Sequence, residues 1–214
     1  MGKRAAATLA LATLIALALA GLPAPSRAQD GQRTANLGPG CNMVTLTFPT
    51  GTDAASAAAA VSPADALDTI WRLDNVSRTF QAFMPQAPQA SDLTSLNLLD
   101  AVFMCVHSAA AVAMPSVSAD AVGAPISVNL STGCNAVGLS FAEGTDPSEE
   151  ADAVTPTGTL QSIWRLDNAT HAFQAYVAAA PQASDLTSLQ FLDAVFACTG
   201  GPATLSMPAL APAD

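Results

Sequence analysis

The sequence predicts a mainly β protein made of two tandem homologous small β-rich domains. Each is expected to carry one or two short helical turns and one disulfide. Three observations carry this. The chain matches itself at a shift of 93 residues, its apolar residues alternate with period two, and it holds four cysteines. At that shift Cys41 falls on Cys134, Trp71 on Trp164, Cys105 on Cys198 and Met114-Pro115 on Met207-Pro208. Roughly half of the aligned positions are identical, far above chance for unrelated segments.

The start of the chain reads as a targeting segment. Lys3 and Arg4 precede an apolar run over residues 5–20, which Gly21, Pro23 and Pro25 close before Ser26-Arg27-Ala28. That is the pattern of a secretory signal peptide cut after Ala28. The rival reading, an uncleaved anchor, needs ~20 apolar residues to cross a bilayer. Residues 29–35 then read as a flexible tail, 36–115 as repeat 1, 116–128 as a linker, 129–208 as repeat 2 and 209–214 as a C-terminal tail.

Within a repeat, Asn42, Val44, Leu46 and Phe48 alternate with Met43, Thr45 and Thr47, and the second copy keeps the pattern from Asn135 to Phe141. This predicts a half-buried strand. The Ala-rich residues 54–67 could hold a short helix, but Pro147, Pro156 and Gly158 make a long one doubtful in copy two. Ile70-Trp71-Arg72-Leu73-Asp74, a turn over residues 75–78 and a return over 79–84 predict a hairpin. The ten residues APQASDLTSL then occur at 87–96 and again at 180–189. Pro88 stops the strand, and Ser91 or Asp92 can cap a short turn that leads to strands near 100–107 and 110–115.

Cysteine usage fits export. Cys41, Cys105, Cys134 and Cys198 allow three pairings. Duplication favours Cys41–Cys105 and Cys134–Cys198, since each copy must once have folded alone. Each bridge closes a loop of 64 residues, worth roughly 4 kcal/mol on the chain-entropy model.

The order of motifs resembles a repeat module of secreted and surface proteins in bacteria and archaea, frequent in Chloroflexi. That module runs Gly-Trp-Asn-Leu-Ile, a Val-Trp-x-Tyr-Asp strand, an aromatic-x-x-Tyr-x-Pro return, an Asn-Asp-Leu-x-x-Leu connector and an aromatic last strand. The counterparts are Gly40-Cys41-Asn42-Met43-Val44, Ile70-Trp71-Arg72-Leu73-Asp74, Phe80-Gln81-Ala82-Phe83-Met84-Pro85, Ser91-Asp92-Leu93-Thr94-Ser95-Leu96 and Asp100-Ala101-Val102-Phe103. Cysteine stands where the module has its early Trp. The resemblance implies a non-catalytic, extracellular, mainly β module, with no cofactor or catalytic residue to transfer.

Charge and residue chemistry narrow the function. Loss of Lys3, Arg4 and Arg27 with the signal takes the formal charge from −10 to −13. Such a surface repels phosphate backbones, so nucleic acid is not an expected partner. His107 and His171 do not recur between copies and offer no shared general base. The close cysteine–histidine spacing of a zinc site and the D-x-D-x-D-G spacing of a calcium loop are both missing, so no metal or other cofactor is expected. Asp53, Asp74, Asp92 and Asp100 recur as Asp146, Asp167, Asp185 and Asp193, and turn duty explains most of them. Strand phase sets Trp71 with Leu73, opposite Ile70, Arg72 and Asp74. The tryptophan face is expected in the core, with a sugar-stacking platform as the rival. Arg72, Asp74, Arg165 and Asp167 then form the candidate binding set on the other face. The reading is a secreted bacterial protein, extracellular or at the cell surface, or periplasmic in a two-membrane cell. It is expected to be non-enzymatic, with a binding or structural role at the cell surface or in the extracellular matrix, and cell-envelope polysaccharide or another surface protein is the candidate partner. The alternative is a secreted hydrolase using the repeated Asp carboxylates.

Overall fold

The computed structural model describes residues 31–118 and 124–212. The signal peptide expected at residues 1–28 lies outside the described residues. The first repeat runs β1 (Gln32–Leu37), β2 (Gly40–Thr45), β3 (Thr52–Asp53), α1 (Ala54–Ala59), β4 (Val61–Ser62), β5 (Leu67–Leu73), β6 (Phe80–Phe83), β7 (Ser95–Leu96), β8 (Ala101–Val106) and β9 (Ala110–Pro115). After β10 (Val117–Ser118) the second repeat runs β11 (Ile126–Leu130), β12 (Gly133–Gly138), α2 (Pro147–Asp152), β13 (Val154–Thr155), β14 (Leu160–Asp167), β15 (Ala172–Val177), β16 (Ala194–Thr199) and β17 (Ala203–Met207), and β18 (Ala211–Pro212) follows.

Each repeat holds a three-stranded and a four-stranded antiparallel sheet. Their orders are β1-β9-β4 with β2-β8-β5-β6, and β11-β17-β13 with β12-β16-β14-β15. The fold is therefore mainly β, in two similar units. The pairing of β3 with β7 shrinks in the second repeat to one bridge between Thr145 and Leu189. The inward residues of both sheets meet in one core per repeat. In the first, Val44, Leu46, Ile70, Val102, Met104, Val112 and Met114 pack with Ala54, Ala57 and Ala58 of α1. Alternation puts these side chains on one face of each strand.

Local chemistry sets the boundaries. Asp53 caps α1, its Oδ1 accepting from the backbone N–H of Ala55 at 2.7 Å, and Asp146 caps α2 through Ser148 N at 2.8 Å. Pro147 makes a long helix doubtful, and α2 is indeed only six residues; Pro147 occupies its first turn, where no intrahelical N–H is needed. Asn42 is fully buried. Its side chain accepts from Gly38 N at 3.0 Å and donates to Gly38 O at 2.7 Å, fastening the turn between β1 and β2. Asn135 does the same with Ser131 in the second repeat.

The repeated decapeptide closes the exposed edge of the four-stranded sheet. Asp92 Oδ1 accepts from Ala82 N at 2.6 Å, Ser91 Oγ accepts from Met84 N at 2.9 Å, and the N–H groups of Asp92 and Leu93 both donate to Ala82 O. Asp185 and Ser184 repeat this on β15. The helical turn itself is Pro88–Ala90, ahead of these residues rather than behind them. Ser91 and Asp92 therefore cap a strand edge, not a helix, because that edge would otherwise expose unpaired N–H groups.

Three boundaries need correction. Gln32–Leu37, of which residues 32–35 are expected from the sequence to be a flexible tail, pairs along its length with β9, its odd-numbered side chains turned inward. The linker over 116–128 is short, because Val117–Ser118 and Ile126–Leu130 are both in strands. Residues Ala211–Pro212 of the expected C-terminal tail pair with Val117–Ser118. In each case an adjacent strand offers ladder partners that a loose segment would lack. Cys41–Cys105 and Cys134–Cys198 are disulfide-bonded, each between directly opposed residues of neighbouring strands.

Candidate binding cleft between the repeats

The hairpin turns expected at residues 75–78 do more than reverse the chain. Asn75 reaches the other repeat, its Oδ1 accepting from Ala136 N and its Nδ2 donating to Ala136 O, both at 2.9 Å. Asn168 returns the contact on Met43, at 2.8 Å from N and 3.0 Å to O. Met43 and Ala136 are equivalent positions, so the contact is reciprocal, as in an isologous interface. Both asparagines thus satisfy edge-strand backbone groups of the opposite repeat.

The next turn residues, Arg78 and His171, adopt positive φ of 63° and 55°. Arg78 Nη1 donates to Cys134 O at 2.6 Å and packs over Gly133, while His171 lies over Gly40. A Cβ on Gly40 would sit 3.2 Å from the His171 ring, so the glycines allow this approach. Between the clasps, Met43, Ala101, Phe103, Ala136, Ala194 and Phe196 form a third apolar cluster. Thr45 Oγ1 donates to Asp193 O at 2.9 Å, and Gly138 N donates to Leu99 O at 3.1 Å.

Beyond this cluster the sheet faces are incompletely covered and leave an apolar cleft of about 600 Å³, lined from both repeats by Leu73, Arg78 and Phe80 and by Cys134, Trp164, Phe173 and Phe196. A second hollow of about 390 Å³ is lined by Trp71, Phe80, Phe103 and the Cys41–Cys105 bridge. Trp71 opposes Phe103 in register, and Trp164 opposes Phe196. The Phe103 and Phe196 rings stand 6.0 Å apart, and Phe173 lies 6.3 Å from Phe196. The result is a ladder Trp71–Phe103–Phe196–Trp164, symmetric about the repeat interface. Directly opposed strand residues are about 5 Å apart at Cβ, so the ladder extends roughly 15 Å.

This overturns the expectation of a core tryptophan. Trp71 is 37% and Trp164 39% exposed, and Phe80 and Phe173 are close to half exposed. Trp71 does share a face with Leu73, opposite Ile70. The face that meets the core is the one carrying Ile70, which is fully buried.

The candidate set Arg72, Asp74, Arg165 and Asp167 does not converge on a ligand site. Arg72 Nη1 pairs with Asp100 at 3.0 Å and donates to Ser95 O, and its Nη2 donates to Gln81. Arg165 makes the matching set with Asp193 at 2.8 Å, Ser188 O and Gln174. Asp74 instead holds its own turn, accepting from Val76 N and Ser77 N, and Asp167 does so with Ala169 and Thr170. The backbone N–H of Ser77, then that of Val76, hold the Asp74 carboxyl below its ordinary range; Ala169 and Thr170 do so for Asp167. His107 Nδ1 lies 2.9 Å from Asp68 on the open surface. Among the described residues no three His, Cys, Asp or Glu side chains gather as a metal centre would need.

One group departs from the repeat. Glu150 of α2 is completely buried, with no hydrogen-bond partner for either carboxylate oxygen among the described residues. Its equivalent in α1 is Ala57. Burial, and then the nearby Asp193 charge, push its carboxyl up to about 8.

The cleft and the clasps escaped the sequence reading. Their signal was present: Cys41 and Met43, Trp71 and Leu73, and Ala101, Phe103 and Cys105 are apolar on the face opposite the core. A sheet apolar on both faces needs a second covering layer. No family model, curated protein or solved structure matches this chain.

Proposed function

We propose that the protein is a non-catalytic binder exported from a bacterial cell, which holds a segment of envelope polysaccharide in the cleft between its repeats. The observation that carries this is the ladder of aromatic rings shared by both repeats, with the two tryptophans exposed at its ends. Large exposed apolar patches on a monomer mark binding surfaces. Flat aromatic rings standing on a rigid sheet suit the apolar C–H faces of pyranose rings, and they bury area at low entropy cost. The cross-strand disulfides beside them support export to an oxidising compartment. No helix among the described residues is long and apolar enough to cross a membrane.

Both repeats supply the rings, so the expected stoichiometry is one glycan segment per chain. The chain has two tryptophans; Trp164 lines the cleft and Trp71 lines the hollow that shares Phe80 with it. Their fluorescence therefore reports occupancy directly. Soluble oligosaccharides released from envelope fractions should shift and quench it saturably with one site per chain. Trp71→Ala with Trp164→Ala should abolish retention on the insoluble polysaccharide while leaving the fold intact, since both rings are exposed. Unchanged fluorescence across all fractions, or undiminished retention of the double variant, refutes the reading.

A further inference from the structure

The interface holds a second and more enclosed pocket, of about 210 Å³, whose lining includes Arg33, Asn36 and Thr45 of the first repeat and Arg165, Gln190 and Asp193 of the second. Its charged residues are two arginines and one aspartate. The Asp193 carboxylate is already engaged, by Arg165 at 2.8 Å and by the backbone N–H of Gln190 at 2.7 Å. Arg165 in turn is held by Gln174 and Ser188. That leaves the Arg33 guanidinium as the uncommitted charge. Its one side-chain hydrogen bond among the described residues is from Nη1 to Thr45 O, at 3.4 Å.

The fold does not need an arginine at this position. The equivalent residue of the second repeat is Ile126, which faces Met207 on β17 as Arg33 faces Met114 on β9. Desolvation pulls the Arg33 pKa down, and the attraction of Asp193 offsets part of this. A half-buried cation without a close counter-charge is costly and gains from an anion. A guanidinium presents its N–H donors as a planar fork that matches a carboxylate.

We propose that this pocket binds a small organic carboxylate through Arg33. Its volume equals roughly seven water molecules, the scale of a single organic acid rather than a polymer. The site is separate from the aromatic cleft, and either can be occupied without the other.

The test is the thermal midpoint of the full chain in sodium glucuronate, acetate, phosphate or chloride at matched ionic strength. Glucuronate or acetate at ten times its dissociation constant should raise the midpoint by about 3–6 °C, saturably. Phosphate should not reproduce this. Arg33→Ile, which installs the residue of the second repeat, should keep the fold and lose the shift. Arg33→Lys, which keeps the charge without the fork, should weaken it about tenfold. No carboxylate-specific shift overturns the proposal, as does a shift that survives in Arg33→Ile or is unchanged in Arg33→Lys. An equal response to phosphate overturns the carboxylate assignment.

Discussion

Glu150 makes the stability of this protein depend on pH in an unusual direction. Its carboxyl titrates near 8 in the folded chain, against an ordinary 4.5, because burial disfavours the charged form. Below 4.5 the group is protonated in both states and its ionisation makes no contribution. As pH rises from 4.5 to 8 the unfolded chain releases the proton and the folded chain keeps it. Stability is therefore lost across that window, by up to about 5 kcal/mol at 1.36 kcal/mol per pH unit. For a domain of this size that lowers the thermal midpoint by roughly 10–20 °C. Calorimetric melts from pH 5 to 8.5 on the wild type, Glu150→Gln and Glu150→Ala would measure it. The isostere keeps the volume, and alanine is the residue the first repeat uses. Both variants should flatten the slope, whatever their absolute stability. Asp74, Asp146 and Asp167 have depressed pKa values, so their contribution is present above 3.8 and lost only as pH falls below it. They are silent in the measured window. A variant whose midpoint still falls with pH as steeply as that of the wild type would refute the assignment.

The interface makes further predictions. Asn168→Ala removes two hydrogen bonds and leaves the Met43 backbone groups without their partner, so urea denaturation should show a loss of about 1–3 kcal/mol. Asn75→Ala should cost a similar amount through Ala136. Gly138→Val should be disruptive as well, because a Cβ there meets the Thr45 side chain and comes within 2.6 Å of Leu99 O. Its expected cost is about 1–3 kcal/mol, read as a lower urea midpoint; a neutral result would mean that the repeats do not pack closely at this point.

What the sequence disclosed and what it hid divide along a physical line. Strand phase is local, so the alternation of Val44, Leu46 and Phe48 located β2 and its core face. The cysteine pairing followed from the duplication. Phase also grouped Trp71 with Leu73 correctly, but it says which residues share a face and not which face is covered. That depends on the layers above and below the sheet. Arg72 was likewise placed opposite the tryptophan, while its partner Asp100 comes from elsewhere in the chain. Asn75 read as an ordinary turn residue because its second role involves a strand 61 residues away.

The duplication supplies a control that most proteins lack. Where both repeats keep a residue, as at Asn42 and Asn135, Asp92 and Asp185, or Arg72 and Arg165, each copy makes the same local bonds, and architecture accounts for it. The informative positions are those where equivalent environments hold different chemistry. Ala57 fills a helix face that Glu150 burdens with an unpaired carboxyl. Ile126 completes a strand face from which Arg33 instead reaches a polar pocket. Arg78 and His171 take the same left-handed turn position and cover equivalent glycines, one with a guanidinium and the other with an imidazole. In each pair one member shows that the fold can do without the other. The aromatic ladder is the complementary case: Trp71 and Trp164 recur, as do Phe103 and Phe196, although the tryptophans remain more than a third exposed. Burial does not fully account for rings of that size held so far in the open, whereas the proposed glycan segment, lying across both repeats, would cover them.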